Sequence, residues 1–247
     1  MATNAQPSRS RLAGKVAVVT GANRGIGLAI SRALAAEHCS LVISGRNGVE
    51  LAAASLSLAE VGSPRVMPVT CDVRDADAVA EMFSVVARDF GRLDILINNA
   101  GISQSAMPLE NTPVELWREI IETNLTGTFL CCRAAVPLMQ AGSTILNIVS
   151  VAARDSFPGY SPYNASKSGV LGMTFTLRQE LKDRGIRVTA LLPGATDTEI
   201  WQQVMPDAPR DKMIEVGSVA ALVLEAVLLA PKANLSELIL DPMTGPM

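Results

Sequence analysis

Tyr163 and Lys167 stand four residues apart in the run Tyr-Asn-Ala-Ser-Lys. On a helix, residues at this spacing share one face. A phenol that titrates near pH ~10 is a poor base at neutral pH. An ammonium beside it favours the phenolate and lowers that value. Such a phenol donates a proton to a forming alkoxide, or takes one from an alcohol. A tyrosine and a lysine at helical spacing are also a common accident. Ser150 closes an apolar run thirteen residues before Tyr163. Its hydroxyl can hydrogen-bond a carbonyl oxygen and stabilise developing charge. Taken alone, it serves equally as a strand-end cap. Asn124 lies inside a long apolar helical pattern, where an amide is unwelcome; by itself it is a residue that bends a helix.

Composition narrows what else is available. The 247 residues include one His, two Tyr and two Trp. His38 alone cannot anchor a His-rich metal centre, so no metal is expected, and any Ser-His or Cys-His scheme would hang on it. Aromatics at 4% supply no base-stacking surface, and a net charge of −3 draws no polyanion. Nucleic acid is therefore not an expected partner. Cys39, Cys71, Cys131 and Cys132 have neither metal-ligand nor disulfide spacing, and suit buried thiols in a reducing cytoplasm. The longest strongly apolar stretch, 220–230, carries Glu225 and is too short to span a bilayer. The first fifteen residues are polar and lack the apolar core of a secretory signal. Residues 1–11 are expected to be a mobile tail ahead of a single domain over 12–247. The other tyrosine, Tyr160, precedes Pro162 in the segment entering the helix, and suits a pocket wall or a surface aromatic.

The elements that must position these groups follow from periodicity. Short apolar runs predict strands at 15–20, 41–44, 65–70, 93–98, 143–149, 186–192 and 237–240. Helical patterns fill 26–36, 49–60, 75–90, 113–139, 162–184 and 218–229. Strands apolar on both faces belong inside a parallel sheet covered on both sides. Strict alternation predicts an α/β domain: a doubly wound, seven-stranded parallel sheet with helices on both faces. A (β/α)8 barrel shares the alternation but needs an eighth unit and a late phosphate site. Here a glycine-rich turn follows the first strand instead. No linker, repeat or composition shift divides the chain.

That turn reads Thr20-Gly21-Ala22-Asn23-Arg24-Gly25-Ile26-Gly27. Gly21 allows a tight exit from the strand, Gly25 removes a Cβ where backbone approaches a phosphate, and Gly27 lets helix pack closely on sheet. The helix N-terminus then offers free amides to a pyrophosphate. A glycine cluster by itself is equally a structural turn. From Leu12 to Leu240, however, the chain resembles the short-chain dehydrogenase/reductase family, in the style of 3-oxoacyl-carrier-protein reductases and NADP-dependent 3-hydroxy-acid dehydrogenases. The resemblance rests on this turn, Asp72-Val73, Asn98-Asn99-Ala100-Gly101, the set Asn124, Ser150, Tyr163 and Lys167, and Pro193-Gly194 with Thr198 beyond. It implies a Rossmann-type fold and a nicotinamide cofactor. Gly21, Asn23, Arg24, Gly25, Ile26, Gly27, Gly45, Arg46, Asp72, Val73, Asn99, Ala100, Gly101, Tyr163, Lys167, Pro193, Gly194 and Thr198 would hold that cofactor. It also implies that Asn124, Ser150, Tyr163 and Lys167 are catalytic. Asp72-Val73 would touch adenine, Lys167 the nicotinamide ribose, and Asn124 a water in a proton relay to Lys167.

The second strand ends Ile43-Ser44-Gly45-Arg46-Asn47. Gly45 stands where NAD-preferring relatives place an acid that binds the ribose 2′-hydroxyl. Arg46 and Arg24 suit a 2′-phosphate instead, unless both are merely solvated surface charges. NADP(H) is therefore expected over NAD(H). The expected reaction passes a hydride between nicotinamide C4 and a carbonyl or secondary alcohol, with a 3-oxoacyl thioester or other small β-keto substrate as one candidate. A non-enzymatic NADP(H)-binding regulator and an epimerase or dehydratase on the same scaffold are the alternatives; the four catalytic positions weigh against the regulator. Segments 102–109, 151–160 and 195–211 are expected to set specificity. The last, with Trp201, Val204, Met205 and Pro206, suits a short lid with little material to enclose a steroid-sized ligand. Arg154 is either a contact for an acidic substrate or carrier, or a solvated rim charge. Ala153 and the closing segment depart from the family pattern, which bears on substrate and not on the four catalytic positions. Helices apolar nearly all round, at 125–139 and 218–229, predict a homodimer or homotetramer.

Overall fold

The structure is a computed structural model and describes residues 10–230 and 232–245. Residues 1–9 of the expected tail lie outside the described residues. Arg11, at its end, is ion-paired with Glu37 at 2.7 Å. Seven strands form one sheet: β1 (Val16–Thr20), β2 (Ser40–Gly45), β3 (Val66–Thr70), β4 (Leu93–Asn98), β5 (Met139–Ile148), β6 (Arg187–Pro193) and β7 (Glu237–Leu240). Their order is β3-β2-β1-β4-β5-β6-β7, and every neighbouring pair is parallel. Among the described residues, eight α-helices accompany them: α1 (Gly25–Ala36), α2 (Gly48–Val61), α3 (Ala76–Phe90), α4 (Val114–Ile121), α5 (Gly127–Ala135), α6 (Ser161–Leu181), α7 (Trp201–Val204) and α8 (Val216–Leu228). This is the single Rossmann-type domain that the alternation predicts; the sheet is open, not a barrel.

The two faces explain why the strands read as unbroken apolar runs. In β1, Ala17 and Val19 pack with Ile30 and Leu34 of α1 and Val223 of α8. Val18 points the other way, to Met82 and Phe83 of α3 and Cys131 and Cys132 of α5. Successive side chains alternate between faces, so a strand covered on both sides needs apolar residues at every position.

One predicted helix is several elements. The pattern at 113–139 resolves into α4, a π turn at Glu122–Thr126, α5 and a tight turn at Val136–Leu138. Met139, expected to end the helix, begins β5. Pro137 has no amide to donate and cannot continue a helix. Gly142, at φ 89°, and a register shift opposite Leu93 and Ile95 absorb the extra residues. The π turn contains Asn124, whose side chain is anchored outside the helix, and such widened turns concentrate at functional sites.

Two polar devices fix the site's supports. Asn98 Nδ2 donates to Asn147 Oδ1 at 2.9 Å, and Asn147 Nδ2 to Thr174 Oγ1 at 2.8 Å, linking β4, β5 and α6 through the interior. At the opposite edge, buried Asp94 accepts from Lys15 Nζ at 2.9 Å, from the Val16 amide at 3.1 Å and from Arg92. Burial alone would raise its carboxyl, but these three partners hold it below the ordinary value. A depressed folded value stabilises the protein above the unfolded pKa and loses that contribution as pH falls through the folded one. Asp94→Asn should lower unfolding free energy by about 1–2 kcal/mol near neutral pH, since its cationic partners are partly solvated. In denaturant titrations, the gap to wild type should shrink below pH ~4.

Candidate active site

The carboxyl ends of the parallel strands share one edge. β1 lies between β2 and β4, so the chain leaves β1 toward one face while β4 feeds the other. A crevice opens at such a reversal of strand order. Here it is a cleft of about 1070 Å³, lined by the turns after β1, β2, β3, β4, β5 and β6.

The floor is the glycine turn. Thr20 Oγ1 accepts from the amides of Asn99 and Ala100, both at 3.0 Å. Asn99 Nδ2 returns bonds to the carbonyls of Thr20 and Gly21, also at 3.0 Å. Gly27 is buried beneath: a Cβ there would overlap the Gly21 carbonyl and come within 2.5 Å of Asn99 Nδ2. Gly21 and Gly25 have φ of 62° and 55°, conformations that side chains rarely adopt. Arg24, at the head of α1, makes no side-chain cap. The first-turn amides of α1 thus meet the cleft uncapped, which fits an anionic pyrophosphate.

The end of the cleft beyond β2 and β3 carries charge. Gly45, Arg46, Asp72, Val73 and Asn23 line it, with Arg24 at the turn. Among the described residues, neither Arg24 nor Arg46 is ion-paired. Asp72 is gripped by Arg74, which keeps its carboxyl below the ordinary value. Sequence reasoning missed Glu50. It accepts from Asn23 Nδ2 and from Asn47 Nδ2, clipping the glycine turn to the start of α2. Asn47 caps α2 by accepting from Val49 and Glu50 amides. The signal was present: an Asn followed three residues later by Glu is a capping-box pattern.

At the other end, Ser150 follows β5, and Tyr163 and Lys167 rise from the first two turns of α6. All three line the cleft, as do Ala100, Gly101, Pro193, Gly194 and Thr198. Ser150 Oγ accepts from the Ala152 amide at 3.1 Å, so it also caps the turn after β5. Lys167 is buried; its Nζ donates to Ile148 O at 3.0 Å and lies 5.7 Å from the centre of the Tyr163 ring. Burial drops its pKa to about 8. The expected lowering of the phenol is corrected: burial pushes Tyr163 above its ordinary value, with the Ser150 hydroxyl pulling the other way. Desolvation penalises the phenolate more than the Ser150 hydroxyl favours it.

Gly27 and Asn124 do not line the cleft. Asn124 is buried one layer behind, its Oδ1 accepting from Ile102 N at 2.8 Å and its Nδ2 donating to Ile102 O at 2.9 Å and Ser166 Oγ at 3.0 Å. A Cβ on Gly101 would sit 3.2 Å from Asn124 Oδ1 and 3.6 Å from Lys167 Nζ, so both groups face the same bare glycine. Thr20 and Ser166 support the site without having been singled out; their roles depend on partners far along the chain. Tyr160 heads α6 and lines the cleft. Arg154 does not: it is ion-paired with Glu237 of β7.

The sequence profile of the short chain dehydrogenases matches residues 15–209. The chain belongs to the short chain dehydrogenase family. It is an oxidoreductase acting between CH–OH and C=O groups. It is 35% identical over 205 residues to a 3beta-hydroxysteroid dehydrogenase of Mediterraneibacter gnavus, covering 83% of this chain and 74% of that one. It is 37% identical over 195 residues to a 3-oxoacyl-[acyl-carrier-protein] reductase of Synechocystis sp., covering 78% of each. A short chain dehydrogenase from Burkholderia cenocepacia, solved in complex with NADP, superposes with a TM-score of 0.86 at 31% identity, over 94% of this chain and 98% of that one. No helix among the described residues is long and apolar enough to cross a membrane.

The dehydrogenase's glycine turn has no room to spare. Gly27→Ala should cost about 1–3 kcal/mol of stability, as overpacking does. Because the same shift displaces the α1 amides, it should also weaken nicotinamide-nucleotide binding by about tenfold, or roughly 1.4 kcal/mol, in calorimetric titration.

Proposed function

We propose that this dehydrogenase is an NADP(H)-dependent reductase of a carbonyl, and in reverse an oxidant of a secondary alcohol. The convergence of Ser150, Tyr163 and Lys167 on the cleft that also receives the uncapped α1 terminus carries this reading. Bound nicotinamide supplies or accepts the hydride at C4. Tyr163 gives a proton at its hydroxyl to the oxygen of the reduced carbonyl, or takes it back from the alcohol. Burial keeps that phenol protonated at neutral pH, the form that serves reduction. Ser150 orients the carbonyl oxygen and stabilises charge on it. Lys167 binds the nicotinamide ribose and returns protons toward Tyr163, and Asn124, across Gly101, belongs to that relay. Asn23, Asp72-Val73, Asn99-Ala100-Gly101, Pro193-Gly194 and Thr198 bind the rest of the cofactor. The names of the relatives, a hydroxysteroid dehydrogenase and a 3-oxoacyl-thioester reductase among them, support a small-molecule carbonyl or alcohol substrate. Loss of the regulator alternative would come from any catalysed turnover; loss of the epimerase or dehydratase alternative, from net consumption of the cofactor.

NADP(H) is favoured by the two unpaired guanidinium groups, Arg24 and Arg46, beside Gly45. Glu50 tempers the preference, since its carboxylate shares this end of the cleft. A Cβ on Gly45 would press within 2.8 Å of Asn23 Oδ1, which Glu50 helps to place, so the site resists an acid at that position. Exposed Phe129 on α5, Trp117 on α4 and Phe175 on α6 support a homo-oligomer, dimer or tetramer. The four buried free thiols suit a reducing cytoplasm.

Tyr163→Phe should lower kcat for carbonyl reduction by about 10²–10⁴-fold while leaving the Kd for NADPH nearly unchanged; near-normal turnover would refute the assignment. In parallel assays, kcat/KM should favour NADPH over NADH by at least about tenfold, and Arg46→Ala should erase most of that ratio, as loss of a charge-assisted phosphate contact of about 1.5–3 kcal/mol would. Parity between the cofactors in the wild type would defeat the preference.

A further inference from the structure

We propose that the substrate of this dehydrogenase is an uncharged ketone or secondary alcohol with a rigid apolar body, not a carboxylate or a carrier-bound thioester; this rests on the carbonyl-reductase reading above. The chain has five Phe, two Tyr and two Trp, yet Phe157, Tyr160, Tyr163 and Trp201 all line the cleft, together with Val204 and Met205. Trp201 Nε1 donates to Thr196 O at 2.8 Å, so the polar edge of the indole is satisfied and only its apolar surface remains for a ligand.

Charge is distributed to match. Arg24, Arg46, Glu50 and Asp72 belong to the adenosine end. Glu199 lies over the glycine turn, 3.6 Å from where a Gly25 Cβ would stand. Lys167 donates to Ile148 O and, in the reading above, serves the nicotinamide ribose. Among the described residues that line the cleft, no other cation stands among the apolar walls to receive a substrate carboxylate, and an unpaired charge there is costly. The rim repeats the pattern. Arg154 is paired with Glu237 and Arg210 with Asp197. Segment 195–211 carries Asp197, Glu199, Asp207 and Asp211 against Arg210 alone. An acidic carrier would meet like charge.

The walls are also held together. Ser105 Oγ donates to Gln203 O at 3.2 Å, and Met107 N to Gly159 O at 3.0 Å. The segments after β4, β5 and β6 are thus clipped into one mouth, so the short lid does not have to enclose the ligand by itself.

The test is NADPH oxidation by the purified protein with four probes: trans-1-decalone, 2-butanone, acetoacetate and acetoacetyl-pantetheine. Decalone should exceed each of the others in kcat/KM by at least about tenfold, the discrimination that apolar pockets achieve. Val204→Arg should lower kcat/KM for decalone and raise it for acetoacetate, with the Kd for NADPH unchanged. Equal kcat/KM across the probes, a preference for acetoacetate or the thioester, or an unaltered ratio in Val204→Arg would overturn the proposal. Turnover of none of the four while NADPH binds would remove the reductase reading and the proposal with it.

Discussion

The bond network of Thr20 and Asn99 holds the carboxyl ends of β1 and β4 together, and the cleft depends on that junction. β1 and β4 are neighbours in the sheet although two strands and three helices separate them in sequence. Their onward chains must diverge, and the space between them can only be a crevice. The side-chain oxygen of Thr20 satisfies two amides that the end of β4 would otherwise leave open, while the Asn99 amide satisfies two carbonyls of the glycine turn. Gly27 completes the junction by having no side chain, so α1 can approach the turn closely enough to aim its first amides into the cleft.

With that floor fixed, the cleft divides by polarity. One end gathers Arg24, Arg46, Glu50 and Asp72, where solvent keeps charge affordable. The other gathers aromatics around Tyr163, and there desolvation governs the ionisable groups. Tyr163 is driven up and Lys167 down by the same cause, because burial disfavours the charged form of both an acid and a base. The result is a protonated phenol beside a lysine poised near the neutral range, a pair suited to passing a proton without holding a fixed charge against an apolar ligand.

Much of this was legible in the chain. The alternation of apolar runs and helical patterns gave seven strands in their places, because strand and helix periods differ and both faces of the sheet are covered. The glycine turn was legible from spacing, and Ser150, Tyr163 and Lys167 stand together because a strand end and the next helix start are brought to one edge in any such sheet. The stretch around Asn124 was not: apolar periodicity runs through the π turn without interruption, and Ile102, to which the Asn124 side chain is anchored, is 22 residues away. The start of β5 was hidden for the same reason, since Met139 is as apolar as the helix before it.

The sequence by itself determined the fold class, the place of the glycine turn and the short list of groups able to move a proton, since each depends on local spacing or on residue type. Tertiary structure decided what those groups experience. The raised phenol of Tyr163, the commitment of Arg154 to Glu237 and the presence of Glu50 beside Gly45 arise from burial and from contacts between distant segments. Local patterns encode which way a side chain points along its own element; they carry no record of how much water, or which charge from another element, will meet it there.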